Sequence, residues 1–202
     1  MSAPDKPADE ENPWTIRTVR RAFENPWIAV DDADVLNPAG RPARYGLVRF
    51  KNLAVGVLPI DDNGDVHLVG QYRLAIGRYS WEMPEGGAPA GETAEHCARR
   101  ELAEESGLTA ARLVEVLRLH MSNSVTDEAA ACFLAFGLTQ GAPTPEETEV
   151  LAQRRLPFRE ALAEALDGRI TDALTVATLL RAHHMATIGD LPADLARNML
   201  GR

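Results

Sequence analysis

Apolar and polar residues alternate along the first quarter of the chain. This alternation is typical of strands that bury one face against a core and expose the other. Turn-forming residues interrupt the alternation at Asn25-Pro26 and again at 37–40. The pattern therefore predicts a run of antiparallel strands. These predicted strands span residues 15–23, 27–36 and 44–50.

A continuous apolar run at 53–60 is followed by turn residues at 61–64 and by a second strand-like stretch at 66–72. This order predicts a central β-hairpin. Local patterns in the rest of the chain predict further strands and helices. The strands are at 113–120, 129–136 and 150–156, the helices at 159–166 and 172–183, and a weaker helix falls within 188–202. Strands mixed with helices on both sides indicate an α/β sandwich.

Residues 93–106 predict another helix, because they are rich in Ala, Glu, Arg and Leu and are followed by a glycine. Glu101, Glu104 and Glu105 stand at i, i+3 and i+4, so their carboxylates crowd on one face and repel each other. A hard divalent cation such as Mg2+ would turn this repulsion into coordination. The alternative is a solvated acidic face, the usual state of Glu-rich helix faces. The flanking glycines and Arg100 favour the metal site.

The spacing of the residues around this helix is more specific than its composition. Gly86 is followed after five residues by Glu92, and Glu92 after seven residues by the segment 100–108, Arg-Glu-Leu-Ala-Glu-Glu-Ser-Gly-Leu. Every fixed position of the Nudix box, G-x5-E-x7-R-E-U-x-E-E-x-G-U with U apolar, is present, and so long a motif has a low false-positive risk. The chain resembles the Nudix hydrolases, which split a nucleoside diphosphate linked to another group. The resemblance implies the family's α/β/α sandwich with a mixed central sheet, preceded here by the N-terminal antiparallel strand region.

The resemblance also implies roles for the residues of the box. Glu101 and Glu105 would be metal ligands, together with the backbone carbonyl of Glu85 just before the box glycine. Glu104 would face the same cluster as a ligand or as a base, and Arg100 would orient the carboxylates through an ion pair. Mg2+ is the implied cofactor, with Mn2+ as a substitute.

Two segments ahead of the box narrow the resemblance. Residues 71–73, Gln-Tyr-Arg, and 81–86, Trp-Glu-Met-Pro-Glu-Gly, look like the lead-in of the ADP-ribose pyrophosphatase-like members, so the resemblance covers about residues 14–180. In that group the arginine of the triplet meets substrate phosphate, which implies this role for Arg73. A planar guanidinium suits phosphate geometrically. The alternative is a surface arginine paired with one of the many acidic residues.

An acidic loop at 144–149 precedes the last predicted strand. Related pyrophosphatases carry a loop at this place that closes over the site. The resemblance places the general base at Glu147 and a further metal ligand at Glu149. Glu146 is one residue away, so a shift of register by one would exchange these roles. A solvated acidic loop is the alternative interpretation.

One position departs from the subgroup. ADP-ribose-specific members carry a proline in a turn after the box, where this chain has Asn123. The predicted reaction is therefore metal-dependent hydrolysis of the pyrophosphate bond of a nucleoside diphosphate sugar, ADP-ribose or a similar compound, to a nucleoside monophosphate and a sugar phosphate. A dinucleotide is the alternative substrate. A non-catalytic, ligand-sensing Nudix module is the alternative of a different class; such modules have broken boxes, whereas this box is intact.

Composition limits the partners and the compartment. The 202 residues suit one domain with appendages, and a net charge of −9 argues against a nucleic-acid backbone as the main partner. No apolar run approaches membrane length and no signal peptide is visible, which predicts a cytoplasmic protein. The predicted organisation is a disordered tail, a strand region, a Nudix domain and a C-terminal tail, at 1–13, 14–50, 51–187 and 188–202.

The strand region 14–50 carries aromatic residues in a strand-like alternation and would expose apolar surface unless it packed on something. A two-fold dimer is the commonest closed solution. Related pyrophosphatases are homodimers in which these strands help to build the partner's pocket. We therefore predict a homodimer in which Trp27, or the pair Arg44 and Tyr45, reaches the nucleoside of the neighbouring site. For Trp27, a core or interface tryptophan is the alternative.

Overall fold

The structure is a computed structural model and describes residues 11–144 and 150–201. The chain forms two compact units, each assembled from two separate segments. Unit 1 consists of Met1–Lys51 and Met121–Glu128, and unit 2 consists of Asn52–His120 and Ala129–Arg202.

Unit 1 contains a three-stranded antiparallel sheet in the order β1-β2-β3. Its strands are β1 Thr15–Glu24, β2 Ile28–Leu36 and β3 Pro42–Phe50, so the three predicted strands are present. Alternate residues of β2 are buried, whereas every residue of β1 is exposed. The segment 121–128 is held beside β3 by a bridge between Val48 and Thr126 and by the Phe50 N–H, which donates to the Asp127 carboxylate at 2.8 Å.

Unit 2 combines two sheets with helices. Its strands are β4 Leu53–Pro59, β5 Asp65–Arg73, β6 Arg78–Glu82, β7 Glu85–Ala88, β8 Leu108–His120, β9 Ala129–Gln140 and β10 Ala152–Pro157. Its helices are α1 Ala94–Ser106, α2 Phe158–Leu166, α3 Ala173–Ile188 and α4 Ala193–Leu200. One sheet has the order β7-β4-β9-β8, with β4 and β9 parallel and the other pairs antiparallel. The second sheet, β10-β5-β6, is antiparallel.

Helices cover both faces of the mixed sheet, as its central strand β4 illustrates. Val55 and Val57 are fully buried in one cluster with the small apolar residues of α1. On the opposite face, a side chain at Gly56 would meet Met83 and Leu174, and Leu174 belongs to α3. The predicted α/β sandwich with a mixed sheet is therefore confirmed.

The predicted hairpin of β4 and β5 is wrong. The two strands lie in different sheets, and one isolated bridge between Ile60 and Val66 joins them at the turn. The reason is the continuous apolar run of β4. A strand that is buried on both faces occupies the middle of a sheet, and β4 is paired on one side with β7 and on the other with β9.

Among the described residues, no helix is both long enough and apolar enough to cross a membrane.

Candidate active site

Helix α1 begins and ends at residues with specific capping geometry. The hydroxyl of Thr93 accepts a hydrogen bond from the His96 N–H at 3.2 Å, which satisfies one of the free donors of the first turn. At the other end Gly107 has φ 71°, and its N–H donates to the Ala103 carbonyl. A Cβ at Gly107 would lie 2.7 Å from the Gly141 carbonyl oxygen, so both conformation and space require glycine here.

Two glutamates of α1 point towards the strand that carries the box glycine. A Cβ at Gly86 would lie 1.9 Å from Oε1 of Glu101, so the Glu101 carboxylate rests against the bare backbone of β7. Glu105 is 1% exposed, and its Oε2 accepts a hydrogen bond from the Glu85 N–H at 3.0 Å. The carboxylates of Glu101 and Glu105 therefore lie against the backbone of residues 85–86, where the predicted carbonyl ligand is also found.

Arg100 joins the other acidic residues of the box. Its guanidinium donates to Glu92 at 3.0 and 3.1 Å, to Glu101 at 2.6 Å and to Glu104 at 2.9 Å. The hydrogen bonds from Arg100 and His96 lower the pKa of Glu92 to about 2. Arg100 thus offsets the charge of three carboxylates and fixes the position of Glu101.

A second acidic cluster, which we call the lead-in cluster, consists of Glu82, Glu85 and Asp172. One carboxylate oxygen from each lies within 4.8 Å of the other two. Arg73 lies at its edge and donates to Glu82 through Nε at 2.9 Å and Nη2 at 2.5 Å, and to Glu85 through Nη2 at 2.8 Å. Burial, together with the charges of Asp172 and Glu82, raises the pKa of Glu85 well above its usual value. Burial also raises the pKa of Asp172.

The residues present fit a divalent cation. Carboxylate and carbonyl oxygens are the ligands that Mg2+ prefers, and the carboxylates of Glu101 and Glu105 both lie against the backbone of residues 85–86. Oε2 of Glu85 is buried and has no hydrogen-bond partner among the described residues. A buried carboxylate oxygen without a donor is costly, and a cation would satisfy it.

Of the predicted site residues of unit 1, Arg44 and Tyr45 contact other residues of that unit, whereas the Trp27 side chain is exposed. Trp27 is 67% exposed, so the core alternative for this side chain does not hold in the chain alone. Arg44 is paired with Asp32. Tyr45 packs edge-on against Trp14 with 5.3 Å between ring centroids. Glu146, Glu147 and Glu149 lie outside the described residues.

Comparison with known proteins decides the family. The model of the NUDIX domain matches residues 50–177. The chain belongs to the Nudix family.

Curated relatives of this Nudix chain include two enzymes that match most of it. The ADP-ribose pyrophosphatase of Mycobacterium tuberculosis is 35% identical over 152 residues, which cover 74% of this chain and 73% of the relative. The ADP-ribose pyrophosphatase of Bacillus subtilis is 33% identical over 141 residues, 70% of each chain. The predicted resemblance is confirmed, and the chain is an enzyme, a Nudix pyrophosphohydrolase.

A solved structure has the same fold as this Nudix chain. It is described as an ADP compounds hydrolase and matches with a TM-score of 0.78, covering 88% of this chain and 97% of its own. Its sequence identity of 24% means that the likeness concerns the fold.

Two charged residues of the Nudix site had no predicted role. The sequence marks Glu82 only as part of the lead-in motif and Asp172 only as the first residue of a predicted helix. The signal that could have found Asp172 is its position as the N-cap of α3, where its Oδ2 accepts from the Thr175 N–H at 2.7 Å. A cap residue is held at a defined place, and here that place lies within the lead-in cluster.

Proposed function

We propose that the protein is a Mg2+-dependent hydrolase of the pyrophosphate bond of a nucleoside diphosphate sugar, ADP-ribose or a similar compound. The products are a nucleoside monophosphate and a sugar phosphate. The observation that carries this proposal is the placement of the Glu101 and Glu105 carboxylates against the backbone of residues 85–86. The two curated pyrophosphatases with matching chains supply the substrate class.

Glu101, Glu105 and the carbonyl of Glu85 would hold the cation, with Glu149 as an additional ligand. Bound Mg2+ would supply neutralisation of charge on the pyrophosphate oxygens and a lower pKa for a bound water. Mn2+ takes similar oxygen ligands and can substitute. Arg100 keeps the ligand carboxylates oriented through its hydrogen bonds to Glu101 and Glu104.

Arg73 binds phosphate through the part of its guanidinium that the carboxylates leave available. Among the described residues, its hydrogen bonds to Glu82 and Glu85 use Nε and Nη2. Nη1 is therefore the nitrogen that we assign to substrate phosphate. With 37% of its side chain exposed, Arg73 can be reached from solvent, and its two carboxylate partners fix its orientation before the substrate arrives.

The attacking water loses its proton to Glu147, with Glu104 as a further candidate for the base. This assignment rests on the family resemblance and on the place of Glu147 in the acidic segment 144–149 of the sequence. The water then attacks one phosphorus of the pyrophosphate, and the bond from that phosphorus to the bridging oxygen breaks.

The active form is a homodimer that contacts the nucleoside through unit 1, with Trp27, Arg44 or Tyr45 as the contacting residues. The support is the exposed apolar surface of this unit. Four of its large apolar side chains are each more than half exposed in the single chain. They are Ile16, Val19, Phe23 and Trp27.

A substrate screen tests the reaction. Purified protein with Mg2+ is offered nucleoside diphosphate sugars, dinucleotides and nucleoside triphosphates in 18O water, and the products are separated by chromatography. We expect cleavage of the nucleoside diphosphate sugars, and the product that carries 18O identifies the phosphorus attacked. Preferential cleavage of dinucleotides would favour the alternative substrate, and cleavage of triphosphates alone would contradict the proposal.

A matched pair of variants tests the metal site. Glu105→Gln retains the shape of the side chain but removes its charge, and we expect turnover to fall at least about a hundredfold with little change in folding. Glu95→Gln is the control, because Glu95 is an exposed residue on the first turn of the same helix. Near wild-type turnover of Glu105→Gln at saturating Mg2+ would refute the metal-site assignment.

A further inference from the structure

The segment between β6 and β7 crosses from one sheet of unit 2 to the other. Strand β6 ends at Glu82 in the sheet β10-β5-β6, and β7 begins at Glu85 in the sheet β7-β4-β9-β8. Met83 and Pro84 make the crossing, and both are buried. Because they belong to neither strand ladder, their backbone polar groups need other partners.

Three elements supply these partners, one for each successive residue. The Met83 N–H donates to the hydroxyl of Thr175 in α3 at 2.9 Å. The Pro84 carbonyl accepts from the Val57 N–H of β4 at 2.9 Å. The Glu85 N–H donates to the Glu105 carboxylate of α1 at 3.0 Å. The crossing segment is thus fixed from both faces of the mixed sheet.

The bond to Thr175 differs from the other two in its partner group. The acceptor is a neutral side-chain hydroxyl that belongs to no acidic cluster, whereas the Pro84 carbonyl is bound by a backbone N–H and the Glu85 N–H by a carboxylate. Thr175 is fully buried in the first turn of α3. Its own N–H is bound by Asp172, a member of the lead-in cluster. One residue therefore connects the N-terminus of α3 to the backbone that leads into the cation site.

We propose that Thr175 is a positioning residue for the cation site, through its hydrogen bond to the Met83 N–H. This inference rests on the proposed function, since it concerns the same cation. The bond sets the path of the backbone two residues before the Glu85 carbonyl. It also fixes the separation of Asp172 from Glu82 and Glu85. Without the bond, the ligand oxygens move relative to Glu101 and Glu105, and the cation is held less tightly.

The test compares variants of Thr175 with a matched threonine. Thr175→Val retains the branched shape and removes the hydroxyl, while Thr175→Ser retains the hydroxyl. Thr178→Val is the control, because Thr178 is equally buried on the same helix and its hydroxyl has no hydrogen-bond partner among the described residues. Thr175→Cys, with a weaker acceptor in place of the hydroxyl, covers the case in which Thr175→Val does not fold.

The main readout is the dissociation constant for Mn2+ without substrate, measured from the electron paramagnetic resonance signal of free Mn2+. We expect Thr175→Val to weaken Mn2+ binding about tenfold, as loss of a group that orients metal ligands typically does. Thr175→Cys should give an intermediate loss, and Thr175→Ser and Thr178→Val should stay within about threefold of wild type. In steady-state kinetics at subsaturating Mg2+ we expect a lower kcat with KM nearly unchanged.

Equal Mn2+ affinity of wild type and of the folded Val or Cys variant would overturn the inference, even if the variant were less stable. The same holds if Thr178→Val weakens binding as much as Thr175→Val does. Failure of the proposed function has a different signature: wild type would bind Mn2+ with the expected dependence on Thr175 but would cleave none of the diphosphates in the screen.

Discussion

Replacing Gly86 with alanine tests the packing of α1 against β7 directly. The new Cβ would lie 1.9 Å from Oε1, 2.2 Å from Cδ and 2.7 Å from Oε2 of Glu101, whereas ordinary contacts begin at 3.4 Å. The Glu101 carboxylate must therefore retreat by about 1.5 Å, or α1 must move away from the strand. Glu101 is only 8% exposed, so its carboxylate cannot simply swing into water.

The displacement should affect activity more than stability. Overpacking of this kind costs about 1–3 kcal/mol of unfolding free energy. A misplacement of about 1 Å at a catalytic group costs about a hundredfold in rate. For Gly86→Ala we expect kcat/KM to fall at least about a hundredfold and Mn2+ affinity to fall about tenfold or more. Activity and Mn2+ affinity are measured on variant protein whose folded state has first been verified by a urea denaturation curve.

Gly87→Ala is the control for loss of a glycine in the same strand. Its Cβ would meet the side chain of Asn52, with Nδ2 at 2.9 Å and Cβ at 3.2 Å, so the amide can rotate away and the Cβ must yield by only a few tenths of an ångström. We expect kcat/KM within about threefold of wild type. In a Glu101→Ala background, Gly86→Ala should cost no further activity, because the clashing group is gone. Wild-type Mn2+ affinity and turnover in Gly86→Ala would refute Glu101 as a ligand.

Three further predictions concern the loop, the assembly and the pH dependence. Glu147→Gln should lower turnover with Mn2+ affinity nearly unchanged, whereas Glu149→Gln should weaken Mn2+ binding. Normal turnover and normal Mn2+ binding in both variants would show that the acidic segment takes no part in the reaction. Sedimentation equilibrium at micromolar concentration should give twice the chain mass, and Trp27→Ala should raise KM; a fully active monomer would exclude both the dimer and the shared pocket. The pKa of Glu92 is about 2 when folded against an ordinary 4.5, so its ion pair with Arg100 stabilises the protein above pH 4.5 and this contribution is lost as the pH falls towards 2. The difference in unfolding free energy between wild type and Glu92→Gln should therefore shrink below pH 4.5, and a difference independent of pH would contradict this cause.

The parts of the structure that sequence could predict are those set by local spacing. Helix α1 is one example, because its caps, its small apolar residues and its glutamates lie within one short segment. The strands of unit 1 are another, because alternation and turn residues mark them. Pairing of strands is not local. The run at 53–60 reveals a buried strand but not its parallel partner β9, so the hairpin prediction chose the nearest neighbour in sequence.

The site residues also divide into those that local spacing predicts and those that only the tertiary structure brings together. Glu101 and Glu105 could be assigned from their spacing, whereas the lead-in cluster is a product of tertiary structure. Met83 and Thr175, which join its two parts, are 92 residues apart in sequence. Arg73 illustrates a further limit: its motif suggested a phosphate ligand, but its carboxylate partners Glu82 and Glu85 emerge only from the folded backbone.

Because each unit consists of two separate segments of the chain, neither can be deleted or exchanged as one continuous segment. Residues 121–128 lie between β8 and β9 in sequence, yet they pair with β3 as part of unit 1. Deleting residues 1–51 would leave this segment without Val48 and Phe50 as hydrogen-bond partners. The strand region is therefore not a detachable module, and swapping it between relatives requires the β8–β9 connection to be exchanged with it.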